Sequence, residues 1–228
     1  MLENPPKGGQ FDFSNGDAIT LEAWVQLTHL GRGGNPYVIG KGRTGESGFA
    51  KDNQNWALRL REKDGLACVN FLFATPKNQS GAADSHWHRF TTTEGFRPGM
   101  RWHHIAVTYE FGKPGSIKAW LDGKLCPGKW DMGGATGEGP VVDRDSVWIG
   151  SSQAGLSGSS FAGSLDAIAV HRGVVPDQTL ASRFRGVGAD LSEMPAPEKM
   201  PEIGIIPAGK VLVSVQEGAA AQDRWLLR

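Results

Sequence analysis

The chain has 228 residues, with 24 Lys and Arg residues against 24 Asp and Glu residues, and a formal net charge of zero. It has no long basic run, which argues against a nucleic-acid partner, and no stretch near the roughly 18 apolar residues of a membrane-spanning helix, which argues against membrane insertion. Its 32 glycines and 13 prolines are spread among short apolar runs, so the composition favours an all-β protein with many turns.

The first third of the chain predicts short strands separated by polar turns. Residues 10–13 alternate like a short strand, and residues 19–27 form the first long strand, with all the aliphatic side chains on one face. Residues 37–42 are predicted as a further strand that runs into a glycine turn. Residues 56–61 alternate hydrophobic side chains with Arg59 and Arg61, so this strand has one polar face.

Residues 66–74 return as an apolar strand, and a long irregular stretch over residues 76–98 follows. Trp87 lies in this predicted loop, within a local cluster at residues 86–90 that could form a short strand. Long loops in compact domains are usually functional or mobile. The two cysteines, Cys68 and Cys126, could form a disulfide or stay reduced, and this choice remains open.

The strongest local pattern is a β-hairpin over residues 101–123. Its first arm is apolar on both faces, as expected of a strand buried inside a sandwich, and its second arm alternates. Asp122-Gly123 supplies the next tight turn. Two such apolar strands are not stable alone, so other strands must cover them.

The last third predicts two more strands and one helix. A glycine-rich connection that carries Trp130 leads to a strand at 146–150, and the last long strand spans 161–171. Residues 176–184 are the one plausible helix, because a proline suits its first turn and its apolar residues share a side.

A change to linker composition near residue 190 predicts the end of the domain. We place a single domain at residues 1–189, and a Pro-rich linker with a strand-like tail at residues 190–228. The tail is either a strand that the main domain borrows or the start of a neighbouring domain, and the second alternative is favoured.

The order of several motifs identifies a family resemblance. The motifs are Leu21-Glu22-Ala23-Trp24-Val25, Val38-Ile39-Gly40-Lys41-Gly42, Trp102-His103-His104-Ile105-Ala106-Val107-Thr108-Tyr109, Trp120-Leu121-Asp122-Gly123, Trp148-Ile149-Gly150 and Phe161-Ala162-Gly163-Ser164-Leu165-Asp166. The series resembles a laminin G-like domain of the concanavalin A-like lectin/glucanase superfamily, over about residues 11–184. The resemblance implies a jelly-roll sandwich of two curved antiparallel sheets with one short C-terminal helix.

The resemblance also implies a function class and a location. Such domains are usually non-catalytic carbohydrate-binding or adhesion modules within larger exported bacterial proteins. We therefore expect an extracellular or periplasmic location, and other domains of the parent chain as partners. Because a fold hosts many functions, the alternative is a structural or protein-interaction domain without a glycan site.

Glycoside hydrolysis is the less favoured third alternative. Laminarinase-like enzymes of this superfamily carry a Glu-x-Asp-x-x-Glu pattern, which places two carboxylates on the same side of one strand. This sequence lacks the pattern: Glu22 stands alone in its strand, and Glu62 and Asp64 flank a turn. We therefore predict that the protein is not an enzyme.

Metal sites are predicted from the carboxylates and histidines. The resemblance implies a structural calcium ion at Asp166, with Asp12 or Asp17 as a second carboxylate; the alternative is that Asp166 bonds backbone amides or pairs with Arg172. A zinc site built from the histidines is disfavoured. The resemblance makes His104 the buried histidine of the Trp-x-His motif, and His86 and His88 are most simply loop residues.

A sugar site needs an aromatic platform with hydrogen-bonding groups around it. Tryptophans that lie in loops or alternate away from the aliphatic residues of their strands could reach a surface, and an arginine on a sheet face could add polar contacts. The predicted ligand-binding residues are Trp87, Trp130, Trp120, Trp148 and Arg59. The predicted ligand is a glycan, or a protein partner in the alternative.

Overall fold

The computed structural model describes residues 9–31, 33–49, 53–77, 86–153 and 155–191, together with the backbone of 213–214 and 224–227. The strands are β1 Ala18–Leu27, β2 Tyr37–Gly42, β3 Gln54–Lys63, β4 Leu66–Ala74, β5 Trp87–Phe96, β6 His103–Glu110, β7 Lys118–Leu121, β8 Lys124–Cys126, β9 Gly128–Met132, β10 Val147–Ile149, β11 Gly163–Arg172, β12 Val213–Ser214 and β13 Arg224–Leu227. A single 3-10 turn, Pro114–Ser116, and helix α1, Asp177–Leu191, complete the described elements.

The strands form two antiparallel sheets that pack face to face. One is a seven-stranded sheet in the order β12-β13-β11-β1-β6-β7-β8, and the other is a six-stranded sheet in the order β10-β2-β3-β4-β5-β9. The predicted all-β sandwich with one short helix is therefore confirmed. Strands that are distant in sequence, such as β1 and β11, are neighbours in the first sheet.

The hydrophobic core lies between the two sheets and is built from alternating strand residues. Ile19, Leu21 and Val25 of β1 are fully buried in it, as the alternation predicts, and Trp56 of β3 meets them from the other sheet. Residues 10–13, predicted as a short strand, form no strand; the Asp12 amide donates to the Gly9 carbonyl at 2.8 Å and closes a turn over residues 9–12.

The predicted hairpin is present at the centre of the seven-stranded sheet. β6 pairs with β1 on one side and with β7 on the other. The Asp122 carboxylate stabilises the turn between β7 and β8. It accepts a hydrogen bond from the His104 amide at 3.0 Å and lies 2.8 Å from Nδ1 of His103.

Helix α1 covers the outer face of the seven-stranded sheet. Its Leu180 packs with Trp120 of β7, and its Phe184 stacks on Trp24 of β1 with ring centroids 5.8 Å apart. The helix begins after Pro176, as predicted, but continues to Leu191.

Two local predictions are wrong because strand pairing overrides local composition. Trp87 and Trp130, predicted in loops, lie in strands β5 and β9, which pair with each other. Much of the predicted long loop is therefore sheet. Its threonines have the β-branched side chains that suit a strand once a partner is in place.

The tail contributes backbone to the seven-stranded sheet. β13 pairs with β11, with Leu226 opposite Ala169, and β12 pairs with β13. Residues 192–212, which include most of the predicted linker, lie outside the described residues. The domain division at residue 190 stays a prediction.

Both cysteines are free and buried. Cys68 lies in the six-stranded sheet and Cys126 in the seven-stranded sheet.

Candidate functional site

Charged side chains gather on the outer face of the six-stranded sheet. In β3, Trp56, Leu58 and Leu60 point into the core, so alternation turns Arg59 and Arg61 outward. Arg89 of β5 and Arg43, which follows β2, join them. We call the group the arginine face: Arg43, Arg59, Arg61, Asn70, Arg89 and Asp131.

Arg59 is the buried centre of the arginine face. Only 5% of the residue is exposed, its Nε donates to Asn70 Oδ1 at 2.5 Å, and its guanidinium carbon lies 5.6 Å from the ring centroid of Tyr37. Within the described residues, no carboxylate forms an ion pair with Arg59. Burial above all, together with the charges of Arg89 and Arg43, lowers the pKa of Arg59 to about 10, against the opposing effect of Tyr37.

Asp131 is the carboxylate that pairs with Arg89 and Arg61 on this face. Its Oδ1 accepts from Nε of Arg89 at 2.6 Å, and its Oδ2 lies 3.6 Å from Nε of Arg61. Asn70 connects this pair to Arg59, because Asn70 donates to the Thr91 hydroxyl at 2.7 Å and Thr91 donates to Asp131 at 3.1 Å. The arginine face therefore carries an excess of positive charge.

Aromatic rings border the arginine face. The guanidinium carbon of Arg43 lies 5.8 Å from the ring centroid of Trp87, which is 8% exposed. Trp148 of β10 lies opposite Gly40 of β2, and alternation with the buried Val147 places it on the same outer face. Trp148 is partly exposed.

Three of the five predicted ligand-binding residues are thus brought to one face: Arg59, Trp87 and Trp148. Trp120 lies on the opposite sheet beneath α1 and is 2% exposed, so its ring offers no open platform. Trp130 is half-buried and packs edge-on against Phe73, with ring centroids 6.0 Å apart. It also lines an apolar groove of about 520 Å³ with Phe90 and Ile117.

Sequence reasoning missed Arg43, Arg89 and Asp131. Arg89 lies in the cluster at residues 86–90 that could form a short strand within the predicted loop; the full length of β5 and its pairing with β4 place it on the polar face near Arg59. No local sequence pattern identifies Arg43 and Asp131. They approach Arg59 only because the strands from β2 to β9 pair in the order β2-β3-β4-β5-β9.

The predicted calcium ligands Asp166 and Asp12 lie apart. Asp166 is exposed and its Oδ1 accepts from the Ala167 amide at 2.7 Å. The Asp12 carboxylate lies 3.0 Å from Nζ of Lys41. The main-chain carbonyl of Asp12 accepts a hydrogen bond from Arg172 at 2.6 Å. Six residues along β11 separate Arg172 from Asp166, a strand length of about 20 Å. Arg172 also contacts Asp17, at 3.3 Å. Calcium at Asp166 stays a prediction.

The histidines lie on different sheets. His88 lies on the six-stranded sheet, where its Nδ1 is 3.0 Å from the Gly134 carbonyl oxygen. His103 and His104 belong to β6, in the seven-stranded sheet. His104 is buried, as the resemblance implied, and its Nε2 lies 3.5 Å from Glu22 Oε2. Among the described residues, no group of three or more His, Cys, Asp or Glu residues is placed to hold a metal ion.

A family model of laminin G-like domains, described as the concanavalin A-like lectin/glucanases superfamily, matches residues 7–181. The chain belongs to this superfamily. The sandwich of two antiparallel sheets agrees with that membership, as the motif series predicted. No curated protein matches this superfamily member.

Solved structures share the fold at low sequence identity. The CBM40 module of a Ruminococcus gnavus IT-sialidase bound to α2,3-sialyllactose has a TM-score of 0.51 and 14% identity, and the alignment covers 81% of this chain and 94% of that one. The same module bound to α2,6-sialyllactose has a TM-score of 0.50 at 14% identity, with 80% and 93% coverage. The binding domain of Paraclostridial mosquitocidal protein 1 has a TM-score of 0.49 at 13% identity, with 79% and 40% coverage.

In the described part of this superfamily member, no helix is both long and apolar enough to cross a membrane.

Proposed function

We propose that this chain is a non-catalytic carbohydrate-binding module, that its binding site is the arginine face, and that its ligands are acidic glycans. The observation that carries the proposal is Arg59: a buried guanidinium that adjoins Arg43 and Arg89 and has no carboxylate partner among the described residues. A ligand carboxylate would supply the missing counter-charge.

The physical argument is charge compensation at a partly desolvated surface. Removing a guanidinium from water is costly unless an opposite charge accompanies it, and the neighbouring arginines add to that cost. The pKa of about 10 still leaves Arg59 charged at neutral pH. Planar guanidinium groups bind carboxylates through two parallel hydrogen bonds, which favours a carboxylated sugar over a neutral one.

The aromatic residues support a sugar over a simple anion. Trp148 is partly exposed on the same outer face, and aromatic rings pack against the apolar C–H faces of sugars. The similar CBM40 structures, which contain sialyllactose, a carboxylated glycan, support carbohydrate binding by analogy of fold.

Calorimetric titration of the full chain with 3′-sialyllactose and with lactose tests the proposal. We expect the sialylated sugar to bind at least about tenfold more tightly than lactose, because only the former carries a carboxylate. Arg59→Gln should weaken sialyllactose binding by at least about tenfold. Arg89→Gln, at a less buried position, provides a second test if Arg59→Gln does not fold.

Arg101→Gln is the matched control, since Arg101 is exposed in the turn before β6, on the other sheet. Its binding should equal that of the wild type. Equal affinity for lactose and sialyllactose would contradict the acidic-glycan proposal. Absence of binding to any sugar by folded protein would favour the alternative, a structural or protein-interaction domain.

We also propose that this chain is one part of a larger exported protein, and that the other domains of that protein are its partners. The encoding gene tests it directly: a signal peptide and flanking domains in the same reading frame would support export, and an isolated reading frame without them would count against it.

A further inference from the structure

The apolar groove beside Trp130, of about 520 Å³, lies where the last strands of the two sheets meet. We call it the edge groove. β8 ends the seven-stranded sheet and β9 ends the six-stranded sheet, and the chain passes from one to the other through Pro127. Within the described residues, no strand pairs with the outer side of either one. The sandwich is therefore open along this side.

The edge groove exposes the margin of the hydrophobic core. The Trp130 indole packs edge-on against Phe90 and Tyr109, with ring centroids 5.7 Å and 5.6 Å apart. Ile117, just before β7, also packs against the core and is partly buried. Leu125 of β8 lines the groove as well, and 57% of it is exposed. Apolar surface of this kind is stabilised when another apolar group covers it.

The main chain of β9 directs polar groups to its free edge. The Thr93 amide donates to the Pro127 carbonyl at 2.8 Å, and the next pair along the ladder is Thr92 with Gly128. In an antiparallel ladder, residues that bond to the partner strand alternate with residues whose amide and carbonyl face away. The amides and carbonyls of Gly128 and Trp130 therefore face away from β5. Within the described residues, they have no main-chain partner on that side.

Gly128 makes the Phe90 ring part of the groove. A Cβ atom on residue 128 would lie 2.4 Å from Cζ of Phe90, so the ring occupies the place that a side chain would take. A strand added beside β9 would consequently meet two aromatic rings on its inner side, those of Phe90 and Trp130.

The charge at the edge groove is positive. Lys118 and Lys129 line it, and no carboxylate of the described residues does. Lys118 pairs with Asp177 at 2.7 Å, an exposed ion pair that contributes little. Lys129 is exposed and forms no ion pair within the described part of the chain. The edge groove thus favours an occupant that carries negative charge.

We propose that the free edge of β9 binds an extended segment of a partner protein, in which apolar side chains alternate with acidic ones, as an additional strand of the six-stranded sheet. The main chain of the segment would bond to Gly128 and Trp130, whose outward groups repeat about every 7 Å, as those of an extended peptide do. Its apolar side chains would enter the edge groove on the side of the Trp130 indole. An acidic side chain between them would lie beside Lys129.

A second copy of this chain is a poorer occupant of the same edge. Its own edge strands carry the exposed Lys124 and Lys129, which would face the lysines of the first copy with like charge. The proposed contact is also independent of glycan binding, because it uses the edge of the sheet and the core side of β9, not the arginine face.

Calorimetric titration of the full chain with a synthetic eight-residue peptide of alternating leucine and glutamate tests the proposal. We expect binding at peptide concentrations below about 1 mM. A peptide of the same length, in which lysine replaces glutamate, should bind at least about tenfold more weakly, because its charges repel Lys129. No sugar is present, so the outcome does not depend on the proposed glycan site.

Methylation of peptide amides separates strand addition from side-chain contact alone. An added strand presents every second amide to β9. Two leucine–glutamate peptides that are N-methylated on alternate sets of amides should therefore differ in affinity by at least about tenfold. Hydrogen exchange of the Gly128 and Trp130 amides should slow by at least about tenfold in the complex with the unmethylated peptide.

Two variants at exposed positions test the side-chain contacts. Lys129→Glu should weaken binding of the leucine–glutamate peptide by at least about tenfold and strengthen binding of the leucine–lysine peptide. Leu125→Glu, which places a charge in the edge groove, should weaken the leucine–glutamate peptide by a similar factor. Lys63→Glu makes the same charge change at the exposed end of β3 and is the matched control, with wild-type affinity expected.

Absence of binding by the folded wild type at about 1 mM peptide would overturn the proposal. Equal binding of the two methylated peptides, or unchanged affinity in both Lys129→Glu and Leu125→Glu, would also overturn it. A dimer in analytical ultracentrifugation that Leu125→Glu dissociates would instead assign this edge to a second copy of the chain.

Discussion

Within the arginine face, Nε of Arg59 in β3 donates a hydrogen bond of 2.5 Å to Oδ1 of Asn70 in β4. Asn70 is fully buried, and its amide also donates to the Phe90 carbonyl at 3.0 Å. The partner that positions the buried Arg59 is therefore the neutral amide of Asn70. An acidic residue at this place would have neutralised the charge of Arg59. This choice of partner leaves the charge of the guanidinium without a carboxylate partner among the described residues.

The first prediction concerns Asn70→Ala. We expect the free energy of unfolding to fall by about 1–3 kcal/mol, because Arg59 and the Phe90 carbonyl lose a buried partner. Sialyllactose binding should also weaken, since Arg59 is no longer held in place. Chemical denaturation and calorimetry measure the two effects; Asn15→Ala, at an exposed turn, is the control and should change neither.

The second prediction concerns Asp131→Asn. The amide still accepts a hydrogen bond from Arg89 but no longer neutralises the arginine face. We expect affinity for sialyllactose to rise about three- to tenfold, and affinity for lactose to stay the same. Asp64→Asn, in the exposed turn between β3 and β4, should leave both affinities unchanged. Weaker binding of sialyllactose by Asp131→Asn would contradict the electrostatic argument.

The third prediction concerns pH and Glu22, which is buried under α1. Burial would raise the pKa of Glu22, but hydrogen bonds from His104, His171 and Arg183 outweigh it and hold the pKa well below its ordinary value of 4.5. The ionised group therefore stabilises the fold above that value, and this stabilisation is lost as the pH falls below it.

Glu22→Gln should consequently reduce the free energy of unfolding most at neutral pH, and the difference from the wild type should shrink as the pH falls below about 4.5. Denaturant unfolding at a series of pH values measures this difference. Glu138→Gln, at an exposed position, should show no such dependence. A difference independent of pH would refute the role assigned to the ionised carboxylate.

The fourth prediction concerns Trp120, which packs between β7 and α1. Trp120→Ala should lower the free energy of unfolding by about 3–5 kcal/mol, because it opens a cavity beneath the helix. Sialyllactose affinity measured well below the melting temperature should remain that of the wild type, since Trp120 lies on the other sheet. Leu125→Ala, where the side chain is 57% exposed, should cost less than about 1 kcal/mol. Weakened sugar binding by folded Trp120→Ala would instead support Trp120 as a ligand-binding residue.

Several features were predictable from the sequence because their signals are local. The alternation of β1 identified its buried face, and the apolar arm before Asp122-Gly123 identified the central hairpin. The ordered motif series identified the superfamily, and the alternation of β3 placed Arg59 on a polar face. Each of these patterns repeats over neighbouring residues, where strand geometry dictates which side chain points where.

Only the tertiary structure decided which of these side chains meet. Trp120 and Trp148 both alternate away from aliphatic neighbours, yet α1 covers the first, whereas the second remains partly exposed on the arginine face. Asp12 and Asp166 have the residue type for calcium, but Asp12 contacts Arg172, which lies six residues further along β11 than Asp166. Arg43, Arg59 and Arg89 converge because β2 to β5 pair side by side, and that pairing depends on contacts between residues far apart in the chain. Local patterns therefore determined the strands and their faces, and long-range packing decided the site.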